Sequence, residues 1–98
     1  MDTDGMKLPR EEDYPSELSL WGETYKITFV KGMADYGSCD SGNMEIRIRS
    51  GMRPSSILKT FIHEAIHMVE FIHGFELPHS QVYLLEKALY RIIKQSCS

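Results

Sequence analysis

The sequence predicts an α+β domain: a small, mainly antiparallel sheet packed against two helices. Three observations carry this expectation. Residues 24–30 are rich in aromatic and β-branched side chains, which suit a pleated, half-buried surface. Residues 44–49 alternate strictly between apolar and polar, the period of a strand with one buried face. Two longer segments, one on either side of Gly74, then space their apolar residues as helices do.

Taken in chain order, residues 1–17 hold Asp2, Asp4, Glu11, Glu12, Asp13 and two prolines. They read as a loose, flexible acidic leader, which leaves residues 18–98 for the domain. Leu18, Leu20 and Trp21 open the ordered part, and Gly22 marks a turn. In the first strand Tyr25, Ile27 and Phe29 share one face, and Lys26 and Thr28 lie on the other. Residues 32–42 are turn-rich, with Gly37, Ser38, Asp40 and Ser41. In the second strand Met44, Ile46 and Ile48 face inward, while Glu45, Arg47 and Arg49 face water. The two strands are expected to pair, across a connection long for a hairpin. Pro54, Ser55 and Ser56 signal a helix start with a serine as N-cap. That helix should run to His73, where Gly74 supplies a left-handed stop. The second helix follows Pro78 and runs toward Gln95, with Val82, Leu85, Leu89, Ile92 and Ile93 at helical spacing.

The chain has 98 residues and 42% hydrophobic content, enough for one domain with a modest core. Its formal net charge of -3 gives no general attraction to nucleic acid, so no nucleic-acid partner is expected. No apolar run reaches the length of a membrane span. Residues 1–10 are polar and do not resemble a signal peptide. The two cysteines, Cys39 and Cys97, are therefore expected as thiols in a cytoplasmic protein.

The informative feature is His63-Glu64-Ala65-Ile66-His67. On a helix, His67 lies about 40° around from His63 and roughly 6 Å along the axis. Two imidazoles at that offset converge on one ion, with zinc–nitrogen bonds of about 2.0–2.1 Å. Glu64 points to a neighbouring sector, where a carboxylate reaches a metal-bound water and acts as general base. Leu58, Phe61, Ile62, Ala65, Val69 and Ile72 form a broad apolar stripe centred opposite the histidines. The helix thus buries one side and turns the pair toward a cleft. The expected cofactor is Zn2+, although iron, cobalt or nickel also suit a three-histidine site.

A catalytic zinc has three protein ligands, so a third must come from elsewhere. Four residues compete. Glu70 shares the helix face but lies about 10 Å along the axis from His63, which suits it to orienting the His67 ring or to a solvated surface position. His73, at the helix end, suits a terminal cation favoured by the dipole. His79 starts the second helix and, on an antiparallel return, comes toward the pair. Glu86 lies two turns further on a similar face. His79 ranks first and Glu86 next.

Residues 20–27, 36–40, 45–48 and 60–67 together resemble small zincin-like metallopeptidases of phages and prophages. These are related in pattern to SprT-type and ImmA/IrrE-type proteases. The resemblance spans roughly residues 18–95, and the His-Glu-x-x-His element is its specific part. It implies a minimal zincin-like fold, with His63 and His67 as ligands, Glu64 as base, and a glutamate ligand early in the second helix. This chain departs there: His79 and Tyr83, one helical turn apart, occupy the region where that glutamate is expected. His79 can replace the acid on the same face. Tyr83 has two readings, a group that polarises a carbonyl near the metal or a tyrosine packed between the helices.

The remaining features have paired readings as well. Cys39 is a metal donor or part of a structural turn. Ile46 and Ile48 border a substrate groove if their strand is the sheet edge, since extended peptides bind by strand addition. Arg47, Arg49 and Arg53 form a small basic patch or a solvated strand face. The expected function is a zinc-dependent hydrolase, a minimal metallopeptidase acting on a protein or peptide in a bacterial or phage-infected cell. The alternative is a non-catalytic zinc-binding regulatory or protein-interaction module.

Overall fold

The computed structural model describes residues 8–96. Strand β1 (Glu17–Leu20) turns back into β2 (Glu23–Val30) through Trp21 and Gly22, whose φ angles are 50° and 83°. Two consecutive positive φ values give a turn whose twist matches that of antiparallel strands, and glycine takes the second without a side-chain clash. The strands pair with Leu20 opposite Glu23 and Glu17 opposite Lys26.

Strand β4 (Glu45–Arg49) lies beside β2, as the apolar patterns of the two strands predict, but the pairing is parallel, with Ile27 opposite Ile46 and Phe29 opposite Ile48. The connection, residues 31–44, is long enough to carry a further strand. That strand, β3 (Gly37–Asp40), adds antiparallel to the outer side of β4. The order is β1-β2-β4-β3, a mixed sheet with two antiparallel pairs out of three. The Asp40 carboxylate closes the turn into β4 by accepting the N–H groups of Gly42 and Asn43 at 3.0 and 3.1 Å.

Helix α1 (Pro54–His73) starts with proline in its first turn, where the missing N–H costs nothing. Arg53, not a serine, occupies the N-cap position; Ser55 is buried inside the helix. Gly74, at φ 72° and ψ 33°, stops the helix in the left-handed conformation, and its N–H bonds the Glu70 carbonyl. Helix α2 runs over His79–Ser96.

The buried side of α1 is broader than the expected stripe, since Ile57, Ile66 and Met68 are buried while Ala65 and Val69 are only half-buried, and it serves two partners. Ile57 and Met68 pack with Tyr25, Ile27, Ile46 and Ile48 on the sheet side, joined by Phe61 and Ile72. Leu58, Ile62 and Ile66 pack with Val82 on the α2 side. Helix α1 is therefore a middle layer between sheet and α2. Of the α2 positions expected at the core, only Val82 is fully buried, whereas Leu85, Leu89 and Ile92 are exposed.

The leader differs from expectation. Leu8 is buried with Leu58, Ile62 and Val82. Glu11 accepts the Ser50 hydroxyl at 3.0 Å and the Gly51 N–H at 2.7 Å. Tyr14 packs its ring against Phe29 and Phe61. Residues 8–16 are thus part of the packed domain, because three spaced anchors outweigh an acidic composition. The first seven residues of that leader, and Cys97, lie outside the described residues. No helix among the described residues is long and apolar enough to cross a membrane.

Candidate metal and hydrolytic site

The site is built on α1, where Glu64 lies against β3 and His63 meets Glu86 of α2. His63 and His67 sit one turn apart and turn their Nε2 atoms toward each other at 3.2 Å. Two nitrogens each about 2.0–2.1 Å from one tetrahedral ion stand about 3.3 Å apart, so the pair has the spacing of two metal donors. Both rings are held from behind. Nδ1 of His63 donates to Glu86 Oε1 at 2.8 Å, and Nδ1 of His67 donates to Glu70 Oε1 at 2.6 Å. A carboxylate can only accept, so each neutral ring carries its hydrogen on Nδ1 and presents a lone pair at Nε2. Two such lone pairs at 3.2 Å repel unless a cation or a proton lies between them. The donor set therefore fits a metal ion on its own chemistry.

Glu70 and Glu86 thereby leave the list of competing ligands and become the groups that fix ring orientation. Glu70 is buried, not a solvated surface carboxylate. Burial pushes its carboxyl up, but the Leu77 N–H, the His67 hydrogen bond and the nearby His67 and His79 charges together hold it below the usual range. His73 is outside the site: its ring meets the edge of Trp21 at 4.4 Å, at the far end of α1. His79 is the exposed first residue of α2 and lies near enough to Glu70 for its charge to favour that carboxylate. Among the described residues no three His, Cys, Asp or Glu side chains close on a common metal position.

Glu64 is 7% exposed and lies between the histidines and β3. Burial raises its carboxyl above the ordinary range, against the lowering effect of His63 and His67. It forms the shared wall of two clefts. One, of about 620 Å³, is lined by Tyr36, Gly37, His63, Tyr83 and Glu86. The other, of about 690 Å³, is lined by Cys39, His67, Glu70, Phe71 and Phe75. Tyr83 is 54% exposed with its ring 5.7 Å from that of His63, so it faces the cleft and is not packed between the helices.

The strand beside this site is β3, which corrects the expectation for Ile46 and Ile48. Their strand β4 is interior, and both side chains are fully buried. The register makes β3 a usable edge. Arg49 N–H bonds the Tyr36 carbonyl at 2.8 Å, so Ser38 and Asp40 are the next residues to exchange bonds with β4. The N–H and C=O groups of Gly37 and Cys39 consequently point to the free side. Gly37 must be glycine for this strand to lie so close to α1: a Cβ there would meet Thr60 Cγ2 at 2.5 Å and the Arg47 carbonyl at 2.9 Å. Cys39 belongs to this strand, not to a turn. Burial first, and then the charges of Glu64, Asp40 and Glu70, push its thiol up to about 12.

Arg47 bonds Glu45 at 3.0 Å and Arg49 stacks on the Tyr36 ring, so the two arginines serve separate local contacts. Sequence reasoning missed β3, Gly37 and Tyr36 as site elements. The only available signal was the glycine in an otherwise short polar run, which marks close backbone approach. No family model matches the chain, and neither a curated protein nor a solved structure matches it.

Proposed function

We propose that the chain is a zinc-dependent hydrolase, a minimal peptidase of the cytoplasm that cuts protein or peptide substrates. The carrying observation is the pair of facing Nε2 atoms at 3.2 Å, each backed by a carboxylate. When bound, zinc supplies a Lewis acid that lowers the pKa of a water molecule to about 7 and polarises a carbonyl. His63 and His67 are the donors that hold it. His79 is the candidate third donor, at the start of α2 and near Glu70.

Glu64 acts as general base. Its raised pKa brings proton affinity closer to neutral, where a carboxylate both accepts a proton from water and releases it to a leaving amine. A peptide is preferred over other amides because the free N–H and C=O groups of Gly37 and Cys39 offer an extended chain a strand to pair with. That edge runs past Glu64 with a cleft on either side, so a strand bound there passes over the base.

A second reading is a zinc-binding regulatory or interaction module. The exposed position of His79 favours it, since only two donors are gathered. The deciding experiment compares the zinc-loaded wild type with Glu64→Gln on unfolded protein substrates. The peptidase reading expects equal zinc content and cleavage by the wild type alone. Full activity in the variant refutes the role of Glu64, and zinc binding without cleavage in either protein selects the module.

A further inference from the structure

We propose that the cleft on the outer side of α1 and α2, centred on Tyr90, recognises an acidic stretch of a polypeptide. Lys59, Lys87, Arg91 and Lys94 line this space of about 600 Å³ around the half-buried ring. The Nζ atoms of Lys59 and Lys94 lie 4.9 and 5.8 Å from the ring centroid. Four cations thus share one cleft in a chain whose formal net charge is -3. Among the described residues, Lys59, Lys87 and Arg91 enter no ion pair. The one carboxylate in the lining, Glu86, is held by His63 at 2.8 Å. Low-dielectric walls lined by one sign of charge concentrate the opposite sign.

The occupant is identified by what adjoins the cleft. Lys59 and Glu86 line both this space and the cleft at His63 and Glu64, so the two form one continuous surface. A chain paired with the β3 edge and continuing past His63 enters it. An acidic polypeptide fits better than a nucleic acid, because Lys59 and Lys94 already approach the Tyr90 ring that a base would need for stacking. As a statement about substrate, the inference rests on the peptidase reading, and it adds a spacing. Tyr90 and Lys94 are one and two turns beyond Glu86, about 6 and 12 Å along α2. At about 3.3 Å per extended residue, acidic side chains belong about two to four residues beyond the one that passes Glu86.

The test measures fluorescence anisotropy of labelled peptides on the full chain at low and moderate salt. One peptide carries four consecutive Asp or Glu residues, its twin carries the matching amides, and oligothymidylate of equal charge is the third probe. The acidic peptide should bind at least about tenfold tighter than its twin, with the preference falling as salt rises. Lys87→Glu with Arg91→Glu should abolish the preference, and Lys87→Gln with Arg91→Gln, which removes charge with less disturbance, should reduce it. Equal binding of the two peptides, an unchanged preference in both variants, or tighter binding of the oligonucleotide overturns the proposal. A zinc-loaded cleavage assay on the same peptides separates the two readings: acidic preference in binding with no cleavage sinks the peptidase and leaves the recognition cleft standing.

Discussion

His63 and His67 face each other through their Nε2 atoms at 3.2 Å, and neither ring is free to turn away, because Glu86 and Glu70 hold the opposite nitrogens. Two rings thus meet at one point, each held there by a carboxylate on its far side. The two carboxylates differ in what else they do. Glu86 serves His63 alone, whereas Glu70 also accepts the Leu77 N–H and ties the end of α1 to the approach of α2.

That difference predicts two distinct phenotypes. Glu86→Gln should weaken zinc binding about 10- to 100-fold and leave the melting temperature of the metal-free protein nearly unchanged. Glu70→Ala should weaken zinc similarly and also destabilise the metal-free fold by about 1–3 kcal/mol, because it strands two donors in a buried place. Competition with a chromophoric chelator reads the first effect, and thermal unfolding without metal reads the second. Equal unfolding behaviour of the two variants would contradict the double role of Glu70.

The contact between β3 and α1 leads to the next expectation. A methyl group at position 37 meets Thr60, a backbone carbonyl and Glu64 at 3.3 Å or less, and neither the carbonyl nor the β-branched threonine can retreat far. Gly37→Ala should cost about 1–3 kcal/mol as an overpacked contact and push the strand off the helix. Any hydrolysis should fall with it, while zinc binding by His63 and His67 on α1 persists. Activity equal to wild type in a stable Gly37→Ala protein would show that this close approach does not position the substrate edge.

Much of this arrangement was legible in the sequence where periodicity is strong. The alternation in residues 44–49 found β4, the stop at Gly74 found the end of α1, and the four-residue spacing of the two histidines found the facing rings. What escaped lacked a local signal. Gly37-Ser38-Cys39-Asp40 has weak strand propensity and becomes a strand only because β4 supplies a ladder. The parallel pairing of β2 and β4 is set by where β3 inserts, which no single segment encodes. Glu70 was legible as a group that orients the His67 ring, but Glu86, read as a candidate ligand, shows its role behind His63 only once α2 folds back. The docking of residues 8–16 depends on Leu8, Glu11 and Tyr14, three isolated anchors in a polar run.

Away from the site, Glu45 ties the two parallel strands and gives the fold a defined acid sensitivity. It accepts the Thr28 hydroxyl at 2.8 Å and Arg47 Nε at 3.0 Å. The Thr28 hydrogen bond, followed after the opposing effect of burial by the Arg47 bond and charge, holds its carboxyl below the ordinary range. A depressed folded-state pKa means that the unfolded chain binds the proton more readily. The stabilisation is therefore complete above the unfolded-state value, near 4.5, and is lost as pH falls through the lower folded-state value. Glu45→Gln should lower stability at pH 7 by about 0.5–1.5 kcal/mol, a range discounted for partial solvent exposure. The gap between wild type and variant should close toward pH 3. Urea unfolding at both pH values checks this, and a gap that stays constant across the range would place the effect in packing instead of charge.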